Sequence, residues 1–296
     1  MNTLISKVQY KDFEPGEFVD VQERDFDSTI QLIENFPWQS QKEKIIIDLT
    51  NPSITIEGKN NDYLKFAVFF NQKYVLHYFD SSHQLYSKSF GNLKDSFNYI
   101  RNLFEQKSFS TEELKKEPTW FQHNLKHFVT QDFRYFVTPQ SARKYLIKTS
   151  GLNIFFSILF IAAFISPRSN FISPLGISAF ILVMTTLGGG LNWIMFYQYY
   201  QYCKDKILIM SRGNDSFYFG LIPSPIAYDK KDILQYTIIR PANARHLLRG
   251  FSIVEIEFKN GTMIKIPNLV VDVPALERKL FQYPQIQRNK IPFLRR

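Results

Sequence analysis

From Thr149 to Pro167 the chain runs 19 residues without a charge, and from Ser169 to Cys203 it runs 35 more, with Arg168 alone between them. An uncharged run of 18 or more is the pattern of a membrane-spanning helix, since roughly 20 residues at 1.5 Å rise cross the hydrocarbon core. The expectation is two transmembrane helices, 149–166 and 175–197, within a hairpin covering 149–198. The turn between them, ISPRSNFISPLG, contains Pro167 and Pro174, each of which discourages helix continuation. A buried hairpin in a soluble protein competes with this reading, but neither run shows the polar stripe such helices usually carry.

The flanks set the expected orientation. Lys126, Arg134, Arg143, Lys144 and Lys148 precede the first run, and Lys204 and Lys206 follow the second. Positive residues stay inside, so the expected location is the inner (plasma) membrane, multi-pass, with both termini cytoplasmic. Tyr197 to Tyr202, YQYYQY, then reads as an aromatic belt at the inner interface. A single cysteine, Cys203, fits reducing surroundings. Antiparallel spans would set Asn153 beside Asn192, with Gly188, Gly189 and Gly190 as the point of close helix approach. Such a hairpin offers a route to homo-oligomers. The spans hold no ionisable residue, which argues against transport.

Charge is unevenly spread. Residues 1–120 carry 14 basic and 18 acidic groups, whereas 204–296 carry 16 and 8. The basic half points to anionic membrane lipids or an acidic protein surface. No nucleic-acid recognition module accompanies it.

Residues 1–118 alternate strand and helix signals and predict an α+β domain, an antiparallel sheet of five or six strands with two helices. KIIIDLT, SITIEG, YLKFAVFF, KYVLHYF and LYSKSF supply strands, and DSTIQLIENFPW a helix capped by Asp27 or Ser28. Glu14, Glu17, Asp20, Glu23 and Asp25 form an acidic edge suited to a basic protein partner. Strand alternation plus a helix cap explains the same residues without a ligand. Residues 119–148 read as a juxtamembrane amphipathic, basic segment rich in aromatic residues. His123 and His127 lie four apart within it, as two metal ligands on a helix would, but Asn124 stands where a zincin has its glutamate.

Residues 204–296 read as strands followed by a helix, with Asn260-Gly261 as a hairpin signal and Asp272 and Pro274 opening the helix. The rhythm ILIMS…FYFGLIPSPIAYDKKDI…IVEIEF…IKIPN and the terminal helix resemble the bacterial pleckstrin-homology-like domains over about residues 204 to 285. That resemblance implies a small β-barrel with a capping helix, used to bind proteins or lipid headgroups rather than to catalyse. Arg240, Arg245, His246 and Arg249 are the candidate contacts to anionic lipid.

No phosphate loop, nucleophile elbow, metal cluster or cofactor motif is present. The expected protein is thus α+β and non-enzymatic, presenting two cytoplasmic binding domains at the inner leaflet. Its role would be protein interaction, as part of a membrane assembly or as an immunity protein neutralising a toxin. The alternatives are a membrane-bound metal-dependent hydrolase using His123 and His127, and a lipid-headgroup sensor working through the C-terminal domain.

Overall fold

The computed structural model describes residues 2–41, 49, 52–69, 73–105, 111–118, 125–165, 190–242, 246 and 248–294, excluding the side chains of 152–154 and 156–165. Its chain divides into two compact units. The first comprises residues 1–132 with 211–213, and the second 133–210 with 214–296.

In the first unit seven antiparallel strands form one sheet, in the order β2-β1-β3-β4-β5-β6-β7. They are β1 Leu4–Gln9, β2 Val19–Arg24, β3 Ser53–Glu57, β4 Tyr63–Val68, β5 Tyr74–Phe79, β6 Leu85–Phe90 and the two-residue β7 Lys115–Lys116. Helices α1 (Phe26–Asn35) and α2 (Phe97–Phe104) complete it. Alternation sends Leu4, Val8, Ile54, Ile56, Leu64, Phe66 and Leu76 into one core with Ile33, Ile100 and Leu103 of the helices. The N-cap of α1 is Asp25, not Asp27 or Ser28: its carboxylate accepts from the Ser28 N–H at 2.8 Å. Most of the strand expected at KIIIDLT lies outside the described residues.

In the second unit, β8 (Arg134–Phe136) leads into α3 (Pro139–Ile165), and α4 (Leu191–Cys203) leads out into β9 (Lys206–Ile209). Then follow β10 Ser216–Leu221, β11 Ile226–Asp229, β12 Ile233–Arg240, β13 Ile253–Phe258, β14 Met263–Pro267, α5 Val273–Leu280 and β15 Gln285–Asn289. The strands make two four-stranded sheets, β11-β10-β9-β8 and β14-β13-β12-β15, with β15 parallel to β12 and the other pairs antiparallel. Both sheets share one apolar core with Leu276 and Leu280 of α5. Phe281, just after α5, is half exposed at 51%.

The two-span expectation is overturned: no helix among the described residues is long and apolar enough to cross a membrane. In α3, Arg143, Lys144 and Lys148 occupy the first turns. From Thr149 to Ile165 the uncharged remainder measures roughly 25 Å, short of the ~30 Å hydrocarbon core. Thirteen residues of α4 reach only about 20 Å. One face of α4, through Met195, Tyr199 and Cys203, is packed into the protein core. The transmembrane hairpin, the inner-membrane topology, the aromatic belt and oligomerisation through spans fall with that finding. Tyr199 is fully buried and only Tyr197 of the tyrosine run is largely exposed.

Candidate interaction surface

The strand pairing Tyr135↔Leu208 makes β8 and β9 neighbours. The helix pair is therefore inserted between two adjacent strands of one sheet, which anchors both its ends. Asn192 Nδ2 donates to the Thr149 carbonyl at 3.2 Å, linking α4 to α3. The Tyr145 hydroxyl lies 2.9 Å from Asn268 Oδ1 and 3.0 Å from the Gly250 carbonyl. Asn268 Nδ2 donates to that same carbonyl at 2.8 Å. The Tyr145 and Tyr199 rings both meet Phe251 edge-on, at 5.6 and 5.2 Å. Burial raises both phenols far above the usual tyrosine range, so both stay protonated donors.

With those residues turned inward, Leu191, Trp193, Ile194 and Tyr197 of α4 are left about half exposed or more, as are Ile147 and Phe155 of α3. No acidic residue occurs anywhere between Phe133 and Lys204. Arg143, Lys144 and Lys148 are exposed on α3. The helix pair thus presents aromatic and aliphatic side chains beside cations alone.

Where α4 passes into β9, a cleft of about 420 Å³ opens between Gln198, Tyr202, Lys206, Leu221 and Leu294. The Lys206 ammonium stands 3.2 Å above the Tyr202 ring centroid and 5.8 Å from that of Phe219. Burial draws Lys206 below the usual lysine range and pushes Tyr202 up to about 12. Gln198 Oε1 is buried and has no hydrogen-bond partner.

The first unit holds a polar layer that sequence reasoning missed. Lys7, Thr55, Lys65 and His77 stand in register on four adjacent strands, facing away from α1 and α2. Both lysines are fully buried. Lys7 pairs with Glu57, and Lys65 donates to Gln9 Oε1 at 2.8 Å and to the His127 carbonyl at 3.0 Å. Burial, with the Lys65 charge adding to it, depresses His77 to about 3. In sequence these residues alternate with apolar ones, which reads as a solvent face. Phe128 and Leu125 cover part of that face instead, against Phe79 and Leu85.

The expected site residues are distributed as follows. Glu17 is buried, its carboxylate accepting from the N–H groups of Glu14 and Gly213. Asp20 pairs with Arg24 at 2.6 Å, Glu23 accepts from Thr3 at 3.4 Å, and Asp25 caps α1. Much of the acidic edge is therefore engaged within its own unit. His123 lies outside the described residues, and His127 is buried in a 3-10 turn, Leu125–His127. Among the described residues no group of three His, Cys, Asp or Glu could hold a metal. Gly188, Gly189 and Arg245 also lie outside, and of Asn153 only the backbone is described; Gly190 and the buried Asn192 open α4. Arg240 donates to Gln287 at 3.2 Å, His246 Nδ1 accepts from the Leu248 N–H, and Arg249 is exposed.

The second unit thus consists of two small sheets around one core, packed with a C-terminal helix. A family model described as PH domain matches residues 134–279. This region is accordingly a PH-like domain, a class that points to protein or lipid interaction. The match opens at β8 and takes in both helices, whereas the sequence resemblance began only at 204. Comparison with curated proteins and with solved structures returns no match.

Proposed function

We propose that the chain is a non-enzymatic binding protein whose PH-like unit holds a protein partner. The observation that carries this reading is the exposed run Leu191, Trp193, Ile194 and Tyr197 on a helix pair whose charged side chains, Arg143, Lys144 and Lys148, are all cations. Trp, Tyr and Arg dominate the energetics of protein interfaces, and contiguous exposed apolar side chains usually mark a docking surface. Charge complementarity assigns the partner an apolar patch rimmed by Asp and Glu.

The test is co-purification of the tagged full-length chain, with elemental analysis of the same sample. The reading expects a stoichiometric protein that is lost in a Trp193→Ser/Ile194→Ser variant and kept when the chain is altered at Asp95 of the first unit. Capture of no protein, with binding instead to vesicles containing anionic lipid, would overturn it in favour of the lipid reading. A bound metal together with unchanged capture in the variant would also contradict it.

A further inference from the structure

A protein partner needs more than an apolar patch to be chosen over others, and the cleft beside α4 has unmet chemistry of its own. The Lys206 ammonium stands over aromatic faces there. Among the described residues it has no hydrogen-bond acceptor and no carboxylate within ion-pair distance. A part-buried ammonium gains from a carboxylate partner, because its partial desolvation is costly. Gln198, which lines the same cleft, carries an Oε1 without a donor. Asp205 lines the same cleft without pairing to Lys206, so the cleft holds one charge of each sign. A ligand carboxylate is therefore matched to the Lys206 side of the cleft, and Asp205 adds a like-charge penalty that a phosphate dianion would feel twice over. Around these polar groups, Leu221 and Tyr197 are 60% and 64% exposed.

We propose that this cleft is the specificity pocket for an acidic, aliphatic peptide segment of the partner. One carboxylate sits on Lys206, a neighbouring peptide N–H donates to Gln198 Oε1, and an apolar side chain lies against Leu221 and Leu294. The inference rests on the protein-partner reading above and names the chemistry of that partner. An extended segment suits it, because successive side chains of a strand point to opposite sides and free the intervening N–H to reach Gln198.

The experiment uses the full-length chain and two blocked probe peptides, acetyl-Leu-Glu-Leu-Glu-Leu-amide and the same peptide with Gln for Glu, measured by calorimetry. The acidic peptide is expected to bind about tenfold more tightly than the Gln peptide. Lys206→Met should remove that preference, and Lys206→Arg should retain most of it. Equal binding of the two peptides, or an unchanged preference in Lys206→Met, overturns the pocket. So does displacement of the acidic peptide by millimolar inorganic phosphate. If the natural partner still binds Lys206→Met at full strength but not the Trp193→Ser/Ile194→Ser variant, the pocket fails while the protein-partner reading stands. Loss in neither variant fails both.

Discussion

The Tyr145 hydroxyl sits 2.9 Å from Oδ1 of Asn268 and so fastens α3 to the end of β14. That bond, shared with the Gly250 carbonyl, holds the inserted helix pair against the sheets at a part-buried site. Tyr145→Phe removes that donor and leaves Asn268 Oδ1 with the Ser252 N–H alone. The expected cost is about 1 kcal/mol, read as a lower urea midpoint for the chain. An unchanged midpoint would mean that the helix pair is held by packing alone.

His77 should make the first unit sensitive to acid. The unfolded chain takes up a proton on this residue near 6.5, whereas the folded one does so only near 3. Between those values the unfolded state binds more protons, so stability falls as the pH drops below 6.5 and the loss is complete near 3. The slope is at most about 1.4 kcal/mol per pH unit, or about 2 kcal/mol at pH 5. His77→Gln should flatten the stability profile between pH 6.5 and 4, measured by denaturation at each pH. A variant as acid-sensitive as the parent would refute this.

Gly16 has φ +77, and a Cβ there would lie 2.2 Å from Gln131 Cγ and 2.8 Å from the carbonyls of Lys126 and Val129. Two of those neighbours are backbone and cannot swing aside. Gly16→Ala should cost about 2–4 kcal/mol, combining the left-handed conformation with overpacking. Thermal melts of variant and parent would check it, and equal midpoints would contradict the fit of residues 126–131 around this turn.

Cys203 is fully buried, and burial pushes its thiol up to about 12 despite the nearby Lys206 charge. It should react with an aromatic disulfide reagent only after the chain is unfolded. Rapid labelling of the native protein would show that α4 leaves its place in the core.

Local signals in the sequence were legible where they were self-contained. The Asn260-Gly261 turn between β13 and β14 exists, with Gly261 at φ +80. What misled was the uncharged run itself. Absence of charge signals burial in an apolar place without saying whether that place is lipid or protein, and Met195, Tyr199 and Cys203 went into protein. β8 was hidden because three residues, Arg134–Phe136, carry no period, and their pairing to β9 spans the whole insertion. Lys7 and Lys65 could not be found locally either, since what buries them comes from elsewhere in the chain: the Phe18 ring approaches both, and residues 127–130 hydrogen-bond to them.

The most direct measurement of the central claim places a photo-crosslinking amino acid at position 193, and for comparison at position 95, in the full-length chain. The account predicts a discrete protein adduct from position 193, none from 95, and crosslinked residues within an acidic, aliphatic stretch of the partner. Adducts only with lipid from position 193, or the same protein adduct from both positions, would contradict it.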